Sequence, residues 1–219
     1  MVPAKTPRLV QLLGKGLQFR IETKEPVVYL TFDDGPIPGL TPWISDQLNY
    51  WGAKATFFMV GENILRQPSL VESLLKSGHA LGNHTHNHLN GFKTRVSDYL
   101  ANADACQQAL ESFLPQGQPL LFRPPYGKIS PRELFFLRKL GYHIVMWDVL
   151  SKDYDAEVPP NQVVQNVLDH AEPGSIIVLH DNLKAEANLK IALPRILAGL
   201  RQKGFRMENL WSALADSLS

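Results

Sequence analysis

Short, uninterrupted apolar runs alternate with amphipathic segments along nearly the whole chain, and this alternation limits the fold more than any other feature. The runs lie at residues 27–32, 55–60, 79–83, 120–123, 143–147 and 175–179, the third being the weakest. Between them the apolar spacing shifts to a helical period over residues 41–51, 69–77, 94–113, 131–140, 161–170 and 189–203. A seventh run begins at 205–207, and a last helix is expected over 210–218. Pro131 suits the first turn of its helix, and Gly141 and Gly204 suit the ends of theirs. Strands that alternate with helices imply a parallel sheet covered on both faces. Runs that are apolar throughout, rather than at every second residue, are what such a sheet requires. Seven or so units in 219 residues point to an α/β barrel, complete or incomplete, rather than an open sheet.

The unusual polar residues fall where the runs end. Asp33 and Asp34 end the first, His84 and His88 follow the third, and Arg123 ends the fourth. Asp148 ends the fifth, and His180 with Asp181 ends the sixth. In a barrel the C-terminal ends of the strands form the face that carries the active site. Independent surface loops would not share that position.

Each of these residues has a plain reading beside a chemical one. Residues 84–88 read His-Thr-His-Asn-His. Neutral imidazole is a preferred ligand of zinc and similar ions. His84 and His88 share a face of a helical turn, whereas His86 and His88 would share a face of a strand. Gly82 and Asn83 favour a tight turn, so a strand end opening into a short helical turn is expected. No Glu follows His84, so a further ligand and a base must come from elsewhere. Asp33 and Asp34 precede Gly35-Pro36, a common turn or cap arrangement. Adjacent carboxylates repel, however, and both stay charged only near a cation; one on a metal and one left as a base would satisfy that. Pro124 and Pro125 stiffen the loop after Arg123, which is either a surface residue of a rigid turn or the partner of a carboxylate. Alone, His180 reads as a hydrogen-bonded core histidine and Asp153 as a loop acid. Trp43, Trp51 and Trp211 read as core residues.

Composition excludes several classes. Hydrophobic residues make up 44% and charged residues 20%, ordinary values for a globular chain that buries a core. A net charge of +1 gives no electrostatic basis for binding nucleic acid or an anionic membrane. The one cysteine, Cys106, falls in a helical stretch, so no internal disulfide forms and a structural thiol is expected. No apolar run is long enough to span a membrane. Within residues 1–20 the apolar cluster 9–13 is broken by Gly14, Lys15 and Gly16, and no small-residue cleavage site follows. The sequence therefore shows no signal peptide, and a cytoplasmic location is expected from it.

Taken together and in order, these residues resemble the polysaccharide deacetylases that share the NodB homology domain, carbohydrate esterase family 4. Residues 31–35, Thr-Phe-Asp-Asp-Gly, look like the first motif, and residues 84–88 like the second. Residues 123–127 look like the third, residues 148–154 are similar to the fourth, and Leu179-His180 looks like the fifth. The fourth motif normally ends Asp-Trp, where this chain has Asp153-Tyr154. The resemblance implies a distorted, TIM-barrel-like (β/α) barrel of seven or eight strands in a single domain, occupying residues 25–219 after an extension of residues 1–24. It implies a metal site of Asp34, His84 and His88, with zinc expected and cobalt or nickel as alternatives. Asp33 would be the general base, Arg123 would hold it, and the backbone N–H of Tyr126 would share the oxyanion. His180, oriented by Asp153, would be the general acid. Pro124, Tyr154 and Leu179 would line the substrate pocket. The activity implied is removal of N-acetyl groups from a polysaccharide containing N-acetylglucosamine, with O-acetyl ester cleavage on a xylan-type glycan as the alternative. A sugar-binding barrel without activity would have lost the base, a ligand or the acid, and none is replaced here. Such enzymes usually act on wall material, which implies a periplasmic or wall-facing location.

Overall fold

In the computed structural model, which describes residues 3–215, a short helix α1 (Arg8–Leu13) and a two-residue strand β1 (Leu17–Gln18) precede the first apolar run. That run is β2 (Val27–Asp33), buried at every position. There follow α2 (Leu40–Tyr50), β3 (Ala55–Met59), α3 (Gly61–Arg66), α4 (Pro68–Lys76), β4 (Ala80–Asn83) and α5 (Val96–Glu111). The second half runs β5 (Leu121–Phe122), α6 (Pro131–Lys139), β6 (His143–Val145), β7 (Val149–Leu150), α7 (Pro160–Leu168) and β8 (Ile176–His180). It ends with α8 (Glu186–Gln202), β9 (Arg206–Met207) and α9 (Leu210–Ala215). The part of the expected last helix beyond residue 215 lies outside the described residues.

The strands form one curled parallel sheet in the order β1-β6-β5-β4-β3-β2-β8-β7, with β9 paired to the start of β2. The fold is therefore the distorted barrel expected, and β1 and β7 are the two ends of its path. The N-terminal segment covers this seam. Thr6 N donates to Asp148 O at 2.8 Å, Leu150 N to Ala4 O at 2.7 Å, and Ile21 N to Gly174 O at 2.9 Å. Residues of the 1–24 extension are thus hydrogen-bonded into the sheet. Asp148 belongs to this clamp and not to the polar face where the sequence put it. It is wholly buried and accepts from Lys5 Nζ at 2.8 Å, Gln11 Nε2 at 2.8 Å and Ser175 Oγ at 2.6 Å. Its amide donates to Ile176 O, at the start of β8, whereas His180 is at the other end of that strand.

Alternation along β2 divides the core. Val28, Leu30 and Phe32 face the helices, in a cluster with Ile44, Leu48, Ile177 and Leu179. Val27 and Tyr29 face inward with Phe58, Leu121, Val145 and Ile176, over a floor made by Leu210 and Leu214. Thr31 and Asp33 continue the inward row, so the interior changes from apolar to polar toward the strand ends. Cys106 is buried in α5, and burial pushes its thiol up to about 12, the inert structural thiol expected.

His79, just before β4, is a buried histidine outside the polar face. Its Nδ1 accepts from Ala55 N at 3.3 Å, so the proton sits on Nε2, 3.3 Å from Ser45 Oγ. Burial, helped by Lys54, pulls its pKa from 6.5 down to about 4. A depressed folded pKa leaves stability intact above 6.5 and removes it as pH falls toward 4. Between pH 7 and 4.5 this group alone is expected to cost about 2–3 kcal/mol. Urea midpoints across that range should fall less steeply in His79→Asn than in the wild type.

Candidate active site

Arg123 organises the polar end of the barrel. It follows β5, where its amide continues the ladder to Asn83 O at 3.0 Å. Its side chain is wholly buried, and the guanidinium lies 4.2 Å over the Phe58 ring. Nη1 donates to Asp33 Oδ1 at 2.7 Å and Thr31 Oγ1 at 2.6 Å, Nη2 to Met146 O at 2.9 Å, and Nε to Val145 O at 3.3 Å. Burial pulls its pKa below the ordinary value and the Asp33 charge opposes this. A planar fork of fixed donors meets all four acceptors at once and fixes the Asp33 carboxylate. Thr31 was missed by sequence reasoning, although counting back two residues from Asp33 along the strand finds it.

Asp34 reaches the same cavity because its backbone leaves the strand with φ 87°. Without that left-handed turn, adjacent strand residues would face opposite sides. Asn63 Nδ2 donates to Asp34 O at 2.8 Å. Gly35 then passes against Asp181, whose Oδ1 accepts from Gly35 N at 2.9 Å and whose Oδ2 accepts from Thr41 Oγ1 at 2.7 Å. A Cβ at Gly35 would lie 1.9 Å from Asp181 Oδ2, so only glycine fits. Burial, with Asp34 nearby, holds the Asp181 carboxyl well above the usual range.

The histidine loop is not the helical turn expected from its spacing. Thr85 (φ 62°) and His88 (φ 55°) are both left-handed, and the loop hangs on side-chain amides instead of helical hydrogen bonds. Asn102 Oδ1 accepts from His86 N at 2.8 Å and Asn87 N at 3.0 Å, and Asn83 Oδ1 accepts from Thr85 N at 2.9 Å. The result still brings His84 and His88 together. Their Nε2 atoms lie 3.4 and 3.1 Å from Asp34 Oδ1. The ligand atoms of Asp34, His84 and His88 all fall within 4.8 Å of one another. His86 is outside this group, packed against Gly61.

The protons decide what that group fits. His84 Nδ1 is 2.7 Å from Arg123 O, which can only accept, so Nδ1 carries the proton and Nε2 presents a lone pair to Asp34. Asp34 Oδ1 is buried and has no hydrogen-bond donor. A carboxylate oxygen and an imidazole lone pair so close repel unless a cation lies between them. One carboxylate and two imidazoles, with positions left open, suit a divalent ion of the zinc type.

His180 stands beside Asp33 in the β2–β8 register. Its Nδ1 is 2.8 Å from Asp153 Oδ1, and its amide donates to Asp153 Oδ2 at 2.8 Å. Burial lowers its pKa, but the buried Asp153 carboxylate outweighs that and raises it from 6.5 to about 9, so the ring is an imidazolium at neutral pH. The Tyr154 ring meets it edge-on with centroids 4.8 Å apart.

Asp33, Asp34, His84, His88 and His180 line a single cavity of about 690 Å³, walled by Pro124, Tyr126, Trp147, Tyr154 and Val178. Tyr126 is left-handed (φ 59°), and its Oη lies 3.1 Å from His88 Nδ1. Leu179 does not line the cavity. It is wholly buried in the cluster facing the helices, because the residue next to His180 on a strand must face the other way. Val178, two residues before His180, takes the wall position.

Residues 20–145 match the family model for polysaccharide deacetylases. The chain belongs to that family. It is 36% identical over 191 residues to a peptidoglycan-N-acetylglucosamine deacetylase of Bacillus cereus, covering 86% of this chain and 88% of that one. It is 33% identical to a chitooligosaccharide deacetylase of Azorhizobium caulinodans, covering 89% and 98%. A solved peptidoglycan N-acetylglucosamine deacetylase, in complex with 4-naphthalen-1-yl-N-oxidanyl-benzamide, superposes with a TM-score of 0.86 at 32% identity, covering 95% and 96%. This polysaccharide deacetylase is a hydrolase acting on an acetylated glycan, and such deacetylases are metal-dependent. Asp34, His84 and His88 are its candidate metal site among the described residues. No helix among those residues is long and apolar enough to cross a membrane.

Proposed function

We propose that the protein removes N-acetyl groups from N-acetylglucosamine units of a peptidoglycan- or chitin-like polysaccharide, releasing acetate and leaving a free amine on the sugar. One observation carries this reading: a carboxylate fixed by Arg123, a three-residue ligand set and a histidine ring held by Asp153 face one cavity. Asp34, His84 and His88 hold the ion, which we take to be zinc, with cobalt and nickel accepted by the same donors. When bound, it polarises the acetyl carbonyl and makes water easier to deprotonate. Asp33, its other oxygen tied to Arg123, takes the proton from the attacking water. The Tyr126 N–H donates to the oxygen that gains charge as the water oxygen bonds to the acetyl carbon. As the C–N bond breaks, His180 gives the proton on Nε2 to the departing nitrogen, while Asp153 holds Nδ1. Pro124 and Tyr154 wall the acetyl pocket, with Val178 in the place expected of Leu179. The catalytic unit is residues 25–219, with residues 1–24 as an extension whose described part, from residue 3, lies across its seam.

Acetate release from N-acetylglucosamine oligomers, peptidoglycan and acetylated xylan, with and without chelator, tests this. Release from the N-acetylated substrates that stops with chelator and returns with zinc is expected. Elemental analysis of His88→Ala should show most of the bound metal gone. Release from acetylated xylan alone would reject the N-acetyl reading.

A further inference from the structure

Asn182 follows the His180-Asp181 pair and belongs to none of the family motifs described above. Its Nδ2 donates to Asp34 Oδ2 at 2.5 Å, and its Oδ1 accepts from Ala185 N at 2.9 Å, at the foot of α8. The second bond fixes the first. A backbone N–H can only donate, so the amide oxygen must face Ala185 and the amide nitrogen must face Asp34. Asp34 then has one oxygen engaged by Asn182 and the other, Oδ1, buried without a donor between the imidazoles of His84 and His88. An aspartate in place of Asn182 would set a second carboxylate against Oδ2.

We infer that Asn182 is a positioning residue for the metal site: it engages Asp34 Oδ2, leaves Oδ1 as the single ligand oxygen, and ties that carboxylate to the start of α8. This rests on the metal-site reading above. Asp34 stands in a left-handed turn, a conformation that a non-glycine residue keeps only when surrounding contacts hold it. A hydrogen bond to the second oxygen fixes which oxygen binds and in which direction its lone pair points. Groups that orient a ligand in this way typically contribute about 10–100-fold to metal affinity.

Asn182→Ser separates this role from a structural one. A serine hydroxyl can still accept from Ala185 N, as short polar side chains do at helix starts, but is too short to reach Asp34. Two quantities are to be measured: zinc affinity, by competition with a chromogenic chelator, and the thermal unfolding midpoint of the metal-free protein in excess chelator. The expected result is a zinc dissociation constant raised about 10–100-fold with an unchanged metal-free midpoint. Affinity within twofold of wild type overturns the inference while leaving the metal site intact. Weaker binding accompanied by a lower metal-free midpoint assigns Asn182 to holding its loop and overturns it as well. A wild-type protein that binds no zinc removes the metal site itself, and this inference with it.

Discussion

Asp33→Asn is expected to keep the bound metal and lose about 10²–10⁴-fold in kcat, the usual contribution of a positioned general base. Asp34→Asn, one residue on, is expected to lose metal and activity together. The two carboxylates differ in what surrounds them. Asp33 is tied to Arg123, 2.7 Å away, and is not among the clustered ligand atoms. An asparagine there can still accept from Arg123 Nη1, so the geometry survives, but the amide cannot take a proton from water. Asp34 Oδ1 is the oxygen facing both imidazoles, and a neutral amide oxygen is a poor replacement for a carboxylate ligand. Metal content measured beside initial rate for both variants separates the roles. Metal lost in Asp33→Asn and kept in Asp34→Asn would reverse the assignment. Full activity in Asp33→Asn would remove the base from the mechanism. Because Asp33→Asn also leaves Arg123 without its counter-charge, rates belong at a temperature well below the variant's unfolding midpoint.

The strands that carry these residues are legible in the sequence because they are buried on both faces. β2, β3 and β8 are continuous apolar runs, and each ends where the interior turns polar. α3, β1 and β7 are not legible: at six, two and two residues they show no period, and no separate apolar run marks them as the runs at 120–123 and 205–207 mark the equally short β5 and β9. Asp33, Asp34, His84, His88 and His180, all at or just after strand ends, line one cavity, but two particulars needed coordinates. The spacing of His84 and His88 suits a helical turn, yet left-handed Thr85 and His88 bring the rings together, and the amide that holds the loop, Asn102, lies on α5. Asp148 ends an apolar run like the others, but the chain crosses from β6 to β7 on the far side of β8 and leaves it at the opposite end. The misplacement of Leu179 is of another kind, because the two-residue period of a strand whose last residue is His180 already selects Val178. Asn182 had no such signal: an asparagine after a strand reads as turn chemistry, and only the bonds to Asp34 and Ala185 reveal more.

Arg123 shows how far the structure changes an expectation. From the sequence alone, Arg123→Ala reads as a milder form of the Asp33 variant, since the arginine would only orient the base. Its side chain is in fact wholly buried and bonded to Asp33, Thr31 and the carbonyls of Val145 and Met146. Removing it strands a buried carboxylate and three further acceptors at once. Breaking one partner of a buried ion pair typically costs about 3–5 kcal/mol, a large part of the stability of an ordinary domain. Arg123→Ala is therefore expected to lower the urea midpoint strongly and to lose activity through unfolding as well as through a misplaced base. Arg123→Lys should recover only part of either, because one ammonium cannot meet four acceptors spread around a planar fork. The test that separates charge from shape is the pair Arg123→Met and Asp33→Asn, made singly and together. If the unpaired buried charge dominates, the double variant is more stable than Arg123→Met alone, because the stranded carboxylate is gone with its partner. It stays inactive, having neither the base nor the residue that orients it. A double variant no more stable than Arg123→Met would show that the lost carbonyl and Thr31 bonds, rather than the ion pair, hold this end of the barrel together.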